Sequence, residues 1–153
     1  MGQHDDYGKV ILGLATRCRN DAACITSYGD SCAHIDGTVG SSIAVEIESR
    51  TGKQVRGAIL DLILHAYPKK LLILVPMWIG KYQVQECEFI LKRFVDPNDF
   101  RVVLLHGTGD NYDIESDVPK IRDALQALGW ETSHALAEPS TRPEVESARP
   151  TAR

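Results

Sequence analysis

Residues 33–49 have the sequence Ala-His-Ile-Asp-Gly-Thr-Val-Gly-Ser-Ser-Ile-Ala-Val-Glu-Ile-Glu-Ser, and they predict a β-hairpin around which the chain is organised. Residues 43–48 alternate between two faces and are rich in β-branched side chains, which is typical of a strand. Residues 40–42, Gly-Ser-Ser, favour a tight turn, since glycine adopts unusual backbone angles and serine bonds its own backbone. With the middle serine at the centre, Val39 faces Ile43 on the apolar side of the hairpin.

The same register brings acidic side chains together on the other side of the hairpin. Asp36 faces Glu46, and directly opposed residues have Cβ atoms roughly 4.5–5.5 Å apart. Glu48 lies two residues further along the same face. Like charges at this spacing destabilise a sheet, and Mg²⁺ relieves that repulsion because it prefers oxygen ligands. The alternative is that these carboxylates form the solvated polar face of an ordinary amphipathic hairpin.

The size and composition predict one globular domain over residues 1–130. The chain has 153 residues, 43% of them hydrophobic and 25% charged, with a net charge of −4. No apolar run approaches the roughly 20 residues of a membrane span, and the polar first residues do not have the character of a signal peptide. A cytoplasmic protein without membrane contact is therefore expected. Residues 131–153 shift to Glu, Ser, Pro, Ala, Thr and Arg, which predicts a disordered tail.

The hydrophobic pattern predicts helices and buried strands on both sides of the hairpin. The expected helices are 6–19, 53–65, 82–95 and 118–128, and the expected buried strands are 71–75 and 101–105, with a possible first strand at 24–28. Three of the helices carry an apolar stripe that is expected to face the core: Val10, Ile11, Leu14 and Ala15 in the first, Val55, Ala58, Ile59, Leu62 and Ile63 in the second, and Val84, Cys87, Ile90, Leu91 and Phe94 in the third. The fold class is therefore α/β.

The four cysteines show no zinc-ligand spacing, and reduced thiols are expected in a cytosolic chain. A zinc site formed by Cys18, Cys24, Cys32 and His34 is an alternative.

The order of elements and the hairpin motif resemble the PD-(D/E)XK nuclease superfamily, which includes many restriction endonucleases. Asp36 matches the motif aspartate and Glu46 the motif glutamate, while Glu48 stands where lysine is usual and Ile35 where proline is usual. The resemblance implies an αβββαβ core with a mixed sheet flanked by helices. It also implies hydrolysis of DNA phosphodiester bonds with Mg²⁺ or Mn²⁺, with Asp36, Glu46 and Glu48 as metal-binding and catalytic residues. A homodimer is possible.

The segment after the hairpin is basic and is expected to contact DNA. Residues 50–70 contain five basic residues and one acid, a local charge of 5 − 1 = +4. Arg50, Lys53 and Arg56 are the side chains expected to bind phosphate. They are also the expected source of the positive charge that the motif lysine, replaced here by Glu48, supplies in the superfamily. Gln54 corresponds to a glutamine found on this helix in some members of the superfamily.

Two other functions remain open from the sequence. One is a non-catalytic DNA- or protein-binding module on the same fold, which is favoured by Glu48, the small size and the acidic net charge. The other is a small Rossmann-like protein that binds a nucleotide through residues 107–111, where Gly107 and Gly109 resemble a short phosphate loop.

Overall fold

The computed structural model describes residues 2–17, 23–24 and 34–131. The helices are α1 (Gln3–Thr16), α2 (Lys53–Leu64), α3 (Lys81–Leu91) and α4 (Ile114–Ala127). The strands are β1 (Ala23–Cys24), β2 (His34–Ile35), β3 (Gly37–Val39), β4 (Ile43–Glu48), β5 (Lys69–Leu74) and β6 (Phe100–Leu104), with a single 3₁₀ turn at Pro97–Asp99. The protein is thus an α/β protein, as the sequence predicts.

The main sheet is mixed and follows the order of the chain. Its four strands lie in the order β3-β4-β5-β6, with β3 antiparallel to β4 and the other two pairs parallel. Strands β1 and β2 form a separate antiparallel pair. Only Asp36 separates β2 from β3, so this residue occupies a bend between the two sheets.

The predicted hairpin register is confirmed. Val39 pairs with Ile43, and the last pair of the ladder is Gly37 with Val45. Gly40 begins the turn with a φ of 57°, a conformation that glycine adopts without the steric cost of a Cβ atom. The register therefore places Asp36 just beyond the end of the ladder, beside Glu46.

The sheet separates two apolar layers, because alternate residues of each strand point to opposite faces. On one face, Ile43, Val45 and Ile47 of β4 pack in a core with α1 and α4. On the other face, Leu72 and Leu74 of β5 pack in a core with α2 and α3. Strand β5 is buried throughout except at its first residue, as expected of a central strand covered on both sides.

Several expected boundaries and stripes are wrong in detail. Helix α1 begins at Gln3 and buries Tyr7 and Leu12, whereas the expected core residues Val10 and Leu14 are about two-fifths exposed. Phe94 is 66% exposed because α3 ends at Leu91. Helix α4 begins at Ile114, before the expected start at residue 118, since the Asp113 side chain accepts a hydrogen bond from Ser116 N and caps the helix there.

Some expectations fall outside the described residues. These are the possible strand at 24–28, of which only Cys24 is described and belongs to β1, and the tail after residue 131. Within the described ranges, no helix combines the length and apolar character needed to cross a bilayer.

Candidate functional site

Acidic side chains line a cavity of about 260 Å³ at the carboxyl end of β4. Five carboxylates contribute to its wall, one from α1, one from the bend before β3, two from β4 and one from α2. They are, in that order, Asp5, Asp36, Glu46 with Glu48, and Asp61. The structure therefore brings together the three residues that the motif predicts, and it adds two more.

The two glutamates of β4 are buried, so the alternative of a solvated polar face is wrong. Glu46 is 7% exposed and Glu48 is 5% exposed. Helix α2 covers this face of the sheet, and all six residues of β4 are buried. A buried carboxylate loses hydration, so its free energy depends on which partners the protein supplies.

Glu46 lacks a full set of such partners. Its Oε1 atom is buried and has no hydrogen-bond partner among the described residues. Burial is the main reason why the pKa of Glu46 rises to about 10, and its hydrogen bond to Asp36 and the negative charge there add to the effect. Asp36 is held by a 2.8 Å hydrogen bond that its Oδ2 accepts from Ile47 N. Glu46 is therefore neutral around pH 7 and directed at a second carboxylate.

Glu48 has a different environment although it lies only two residues away. Its Oε1 accepts hydrogen bonds from Ser49 N at 3.0 Å, Arg50 N at 2.8 Å and Arg50 Nε at 2.9 Å, and its Oε2 accepts one from Arg50 Nη2 at 3.2 Å. This fork-to-fork pair fixes the guanidinium group at the cavity. The Arg50 side chain is nevertheless 59% exposed, so it also faces solvent.

Asp5 and Asp61 are site residues that the sequence did not identify. Asp5 lies in the first turn of α1, is 7% exposed, and has a buried Oδ1 without a partner among the described residues. Burial raises its pKa, while a hydrogen bond with Ser49 acts in the opposite direction. Burial also raises the pKa of Asp61 on α2, with the charge of Asp36 as a second cause. No functional role for Asp5 is evident from the sequence alone, in which Asp61 counts only as the single acid of residues 50–70.

The four expected DNA-binding residues, Arg50 before α2 and Lys53, Gln54 and Arg56 on it, fall into two pairs. Gln54 lies on the face that lines the cavity, together with Gly57 and Ala58, at the i, i+3 and i+4 spacing of one helix face. Lys53 and Arg56 are exposed and do not line it. Of the four, only Arg50 and Gln54 are thus next to the carboxylates. No side-chain atom lies within 4 Å of the point where a Cβ of Gly57 would be, so this glycine keeps the cavity wall open.

His34, two residues before Asp36, also lines the cavity. In the described ranges, no three His, Cys, Asp or Glu side chains are already arranged as a metal-binding group. The predicted zinc alternative cannot be followed through, since Cys18 and Cys32 lie outside those ranges. Cys87 is a free thiol on the buried face of α3.

The loop after β6 does not form the phosphate cradle that its glycines suggested. The N–H groups of His106 and Gly107 donate to the buried carboxylate of Asp117 at 2.6 and 2.8 Å, and Gly109 N donates to His4. The backbone donors that would hold a phosphate are therefore already used within the protein. Tyr7 donates a 2.6 Å hydrogen bond to the same Asp117 carboxylate, which ties the loop to α1.

No family model, curated protein or solved structure matches this chain.

Proposed function

We propose that the protein is a metal-dependent nuclease that hydrolyses DNA phosphodiester bonds at the carboxylate cavity. The observation that carries the proposal is the buried Glu46 carboxyl, whose Oε1 has no hydrogen-bond partner among the described residues while the charges of Asp36, Asp61 and Glu48 act on it. Buried polar atoms are almost always paired, so an unpaired one calls for an ion, a water molecule or a functional role. A divalent cation between the carboxylates of Glu46 and Asp36 would give Glu46 Oε1 a partner and offset the repulsion between the two groups.

The donor set of the cavity fits Mg²⁺ or Mn²⁺. These ions take oxygen ligands, usually one or two carboxylates with water and phosphate completing the shell. Asp36 and Glu46 would hold the ion, with Asp5 on the adjoining wall as a further oxygen donor. The ion would polarise the scissile phosphate and lower the pKa of a bound water molecule.

The architecture supports the resemblance to the PD-(D/E)XK superfamily. A helix precedes the hairpin, a helix connects β4 to the parallel strand β5, and the sheet keeps the sequential order β3-β4-β5-β6 with helices on both faces. The motif aspartate lies at the start of β3 and the motif glutamate in β4, as in the superfamily.

Arg50 takes the part of the missing lysine in this proposal. Glu48 orients the guanidinium through the fork-to-fork pair, and the exposed side of Arg50 faces the solvent from which DNA arrives. A guanidinium fork suits a phosphate and stabilises negative charge as it develops there. Glu48 is then a positioning residue, whereas Asp36 and Glu46 are the metal-binding residues. Lys53 and Arg56 would contact the phosphate backbone further along the strand.

One observation favours the alternative of a non-catalytic DNA- or protein-binding module. Both oxygens of Glu48 are engaged with Arg50 and backbone N–H groups, which is also the pattern of a purely structural ion pair. In that case the basic surface of α2 would bind a partner without cleaving it.

A cleavage assay separates these two functions. Supercoiled, linear and single-stranded DNA would be incubated with the full chain and Mg²⁺ or Mn²⁺, beside Asp36→Ala and Arg50→Ala. Glu86→Ala is the matched control, because Glu86 is an exposed acid on α3 outside the cavity. We expect metal-dependent cleavage by the wild type and the control, none by Asp36→Ala, and a strong reduction by Arg50→Ala. Equal cleavage by Asp36→Ala and the wild type would refute the proposal.

A further inference from the structure

A second cavity adjoins the carboxylate cavity and shares two of its residues. It has a volume of about 410 Å³, and Asp5 and Arg50 contribute to the walls of both cavities. His4, Ser49 and Trp78 also line it. A strand whose phosphate contacts Arg50 would therefore have a neighbouring recess within reach on the α1 side.

Trp78 is one of several exposed aromatic residues, and it is the tryptophan that lines the second cavity. Its side chain is 67% exposed in the turn that follows β5, whereas the other tryptophan, Trp130, packs against the core between the sheet and α1 and α4. The turn lies at the carboxyl end of a parallel strand, the same edge of the sheet at which β4 delivers Glu48. Ligands of open α/β sheets bind outside this edge.

We propose that this second cavity holds an unpaired nucleotide next to the cleaved bond, with its base stacked on the indole of Trp78 and its phosphate on Arg50. The inference rests on the proposed nuclease function in taking DNA as the ligand. An aromatic face binds any base whose own face is free, and it does so without sequence preference. A base within a duplex is already stacked on both sides, so the substrate class is single-stranded DNA or DNA with an unpaired end or flap.

The polar residues of the cavity agree with a base rather than a second phosphate. Asp5 contributes a carboxyl group to the wall, which repels phosphate. His4 is already engaged, since its Nδ1 accepts a hydrogen bond from Gly109 N and its Nε2 lies 3.9 Å from Asp110. Arg50 is thus the phosphate-binding side chain of the cavity, and Trp78 is the surface left for a base.

The test measures binding separately from cleavage, using the full chain with Glu46→Gln to prevent cleavage. The probe is a short fluorescein-labelled oligothymidylate, compared with a blunt duplex of the same length. We expect Trp78→Ala to weaken binding of the single strand about tenfold or more, which is the range of one base–aromatic stack. Tyr82→Ala is the matched control, because Tyr82 is 74% exposed and lies outside both cavities; it should change the affinity less than about twofold.

A second measurement reports directly on stacking. With Trp130→Phe added, Trp78 is the single indole of the chain, and its fluorescence should be quenched in a saturable way by oligothymidylate. Unchanged fluorescence, equal binding by Trp78→Ala, or tighter binding of the blunt duplex would overturn the inference. If the wild type cleaves DNA but Trp78→Ala binds and cleaves equally well, this inference fails and the nuclease stands. If binding depends on Trp78 but no DNA is cleaved, the strand site stands and the nuclease fails.

Discussion

Replacing Glu46 with glutamine should stabilise the protein in the absence of metal. Glu46 has an ordinary pKa of 4.5 and a pKa of about 10 in the folded protein. Between these pH values the folded state holds a proton on Glu46 that the unfolded state has lost. The contribution of Glu46 to the free energy of unfolding is therefore greatest below about pH 4.5 and falls as the pH rises towards 10. Glutamine resembles the protonated glutamic acid in shape and hydrogen bonding but does not titrate.

The size of this effect follows from the linkage between protonation and folding. Each pH unit within the window changes the free energy of unfolding by about 1.4 kcal/mol. Between about pH 5 and about pH 7 the wild type should therefore lose about 3 kcal/mol relative to Glu46→Gln through this residue. The comparison between the two proteins cancels the titration of every other group that they share.

Urea denaturation of both proteins across this pH range, with a chelator present, measures the difference. Glu48→Gln is the matched control, because it is the same change two residues away in β4. Glu48 accepts charge-assisted hydrogen bonds from Arg50, so its loss should destabilise the protein by about 1–3 kcal/mol. Opposite signs for two neighbouring glutamates are thus expected. A Glu46→Gln protein that is no more stable than the wild type at neutral pH would refute the assigned environment of Glu46.

Three further outcomes are expected. Mn²⁺ at about 100 times its dissociation constant should stabilise the wild type by about 2.7 kcal/mol in thermal unfolding and leave Glu46→Ala unchanged; an equal shift in both would place the ion elsewhere. Lys70 is 5% exposed, and burial lowers its pKa from 10.5 to about 8. Between these two pH values the free energy of unfolding of the wild type should therefore rise by about 1.4 kcal/mol per pH unit relative to Lys70→Met. A difference that stays constant with pH in urea denaturation would contradict this. Gly107→Ala should destabilise the protein by about 2 kcal/mol or more, since its Cβ would lie 2.6 Å from Asp113 N. Gly57→Ala should instead stabilise the protein by up to about 1 kcal/mol, because its Cβ would meet open space and alanine favours a helix more than glycine does. Similar melting temperatures for the two variants would contradict this description of the packing.

The sequence predicted the centre of the fold because local signals agreed there. The alternation of residues 43–48 and the glycine-serine turn together determine the hairpin register, and that register brings Asp36 to Glu46. The buried strand β5 and the apolar stripe of α2 were equally predictable, since continuous and i, i+3, i+4 apolar patterns have few alternative structures.

The rest of the site depends on contacts between distant parts of the chain. Asp5 joins the cavity only because α1 packs beside the carboxyl end of β4, and no local pattern encodes that contact. The burial of Glu46 likewise requires α2 to cover the sheet, and amphipathic alternation alone could not distinguish a covered face from a solvated one. The glycines after β6 show the opposite error: they resembled a phosphate loop, but Gly107 lies close to Tyr7 and Gly109 lies close to Gln3, both on α1.

The most direct test of the central claim is DNA cleavage by Glu46→Gln beside the wild type, with Mn²⁺ present. Because this variant is expected to be at least as stable as the wild type, a loss of activity cannot be attributed to unfolding. The account predicts metal-dependent cleavage by the wild type and none above background by Glu46→Gln. Cleavage at equal rates by both proteins would show that the carboxylate cavity is not the active site.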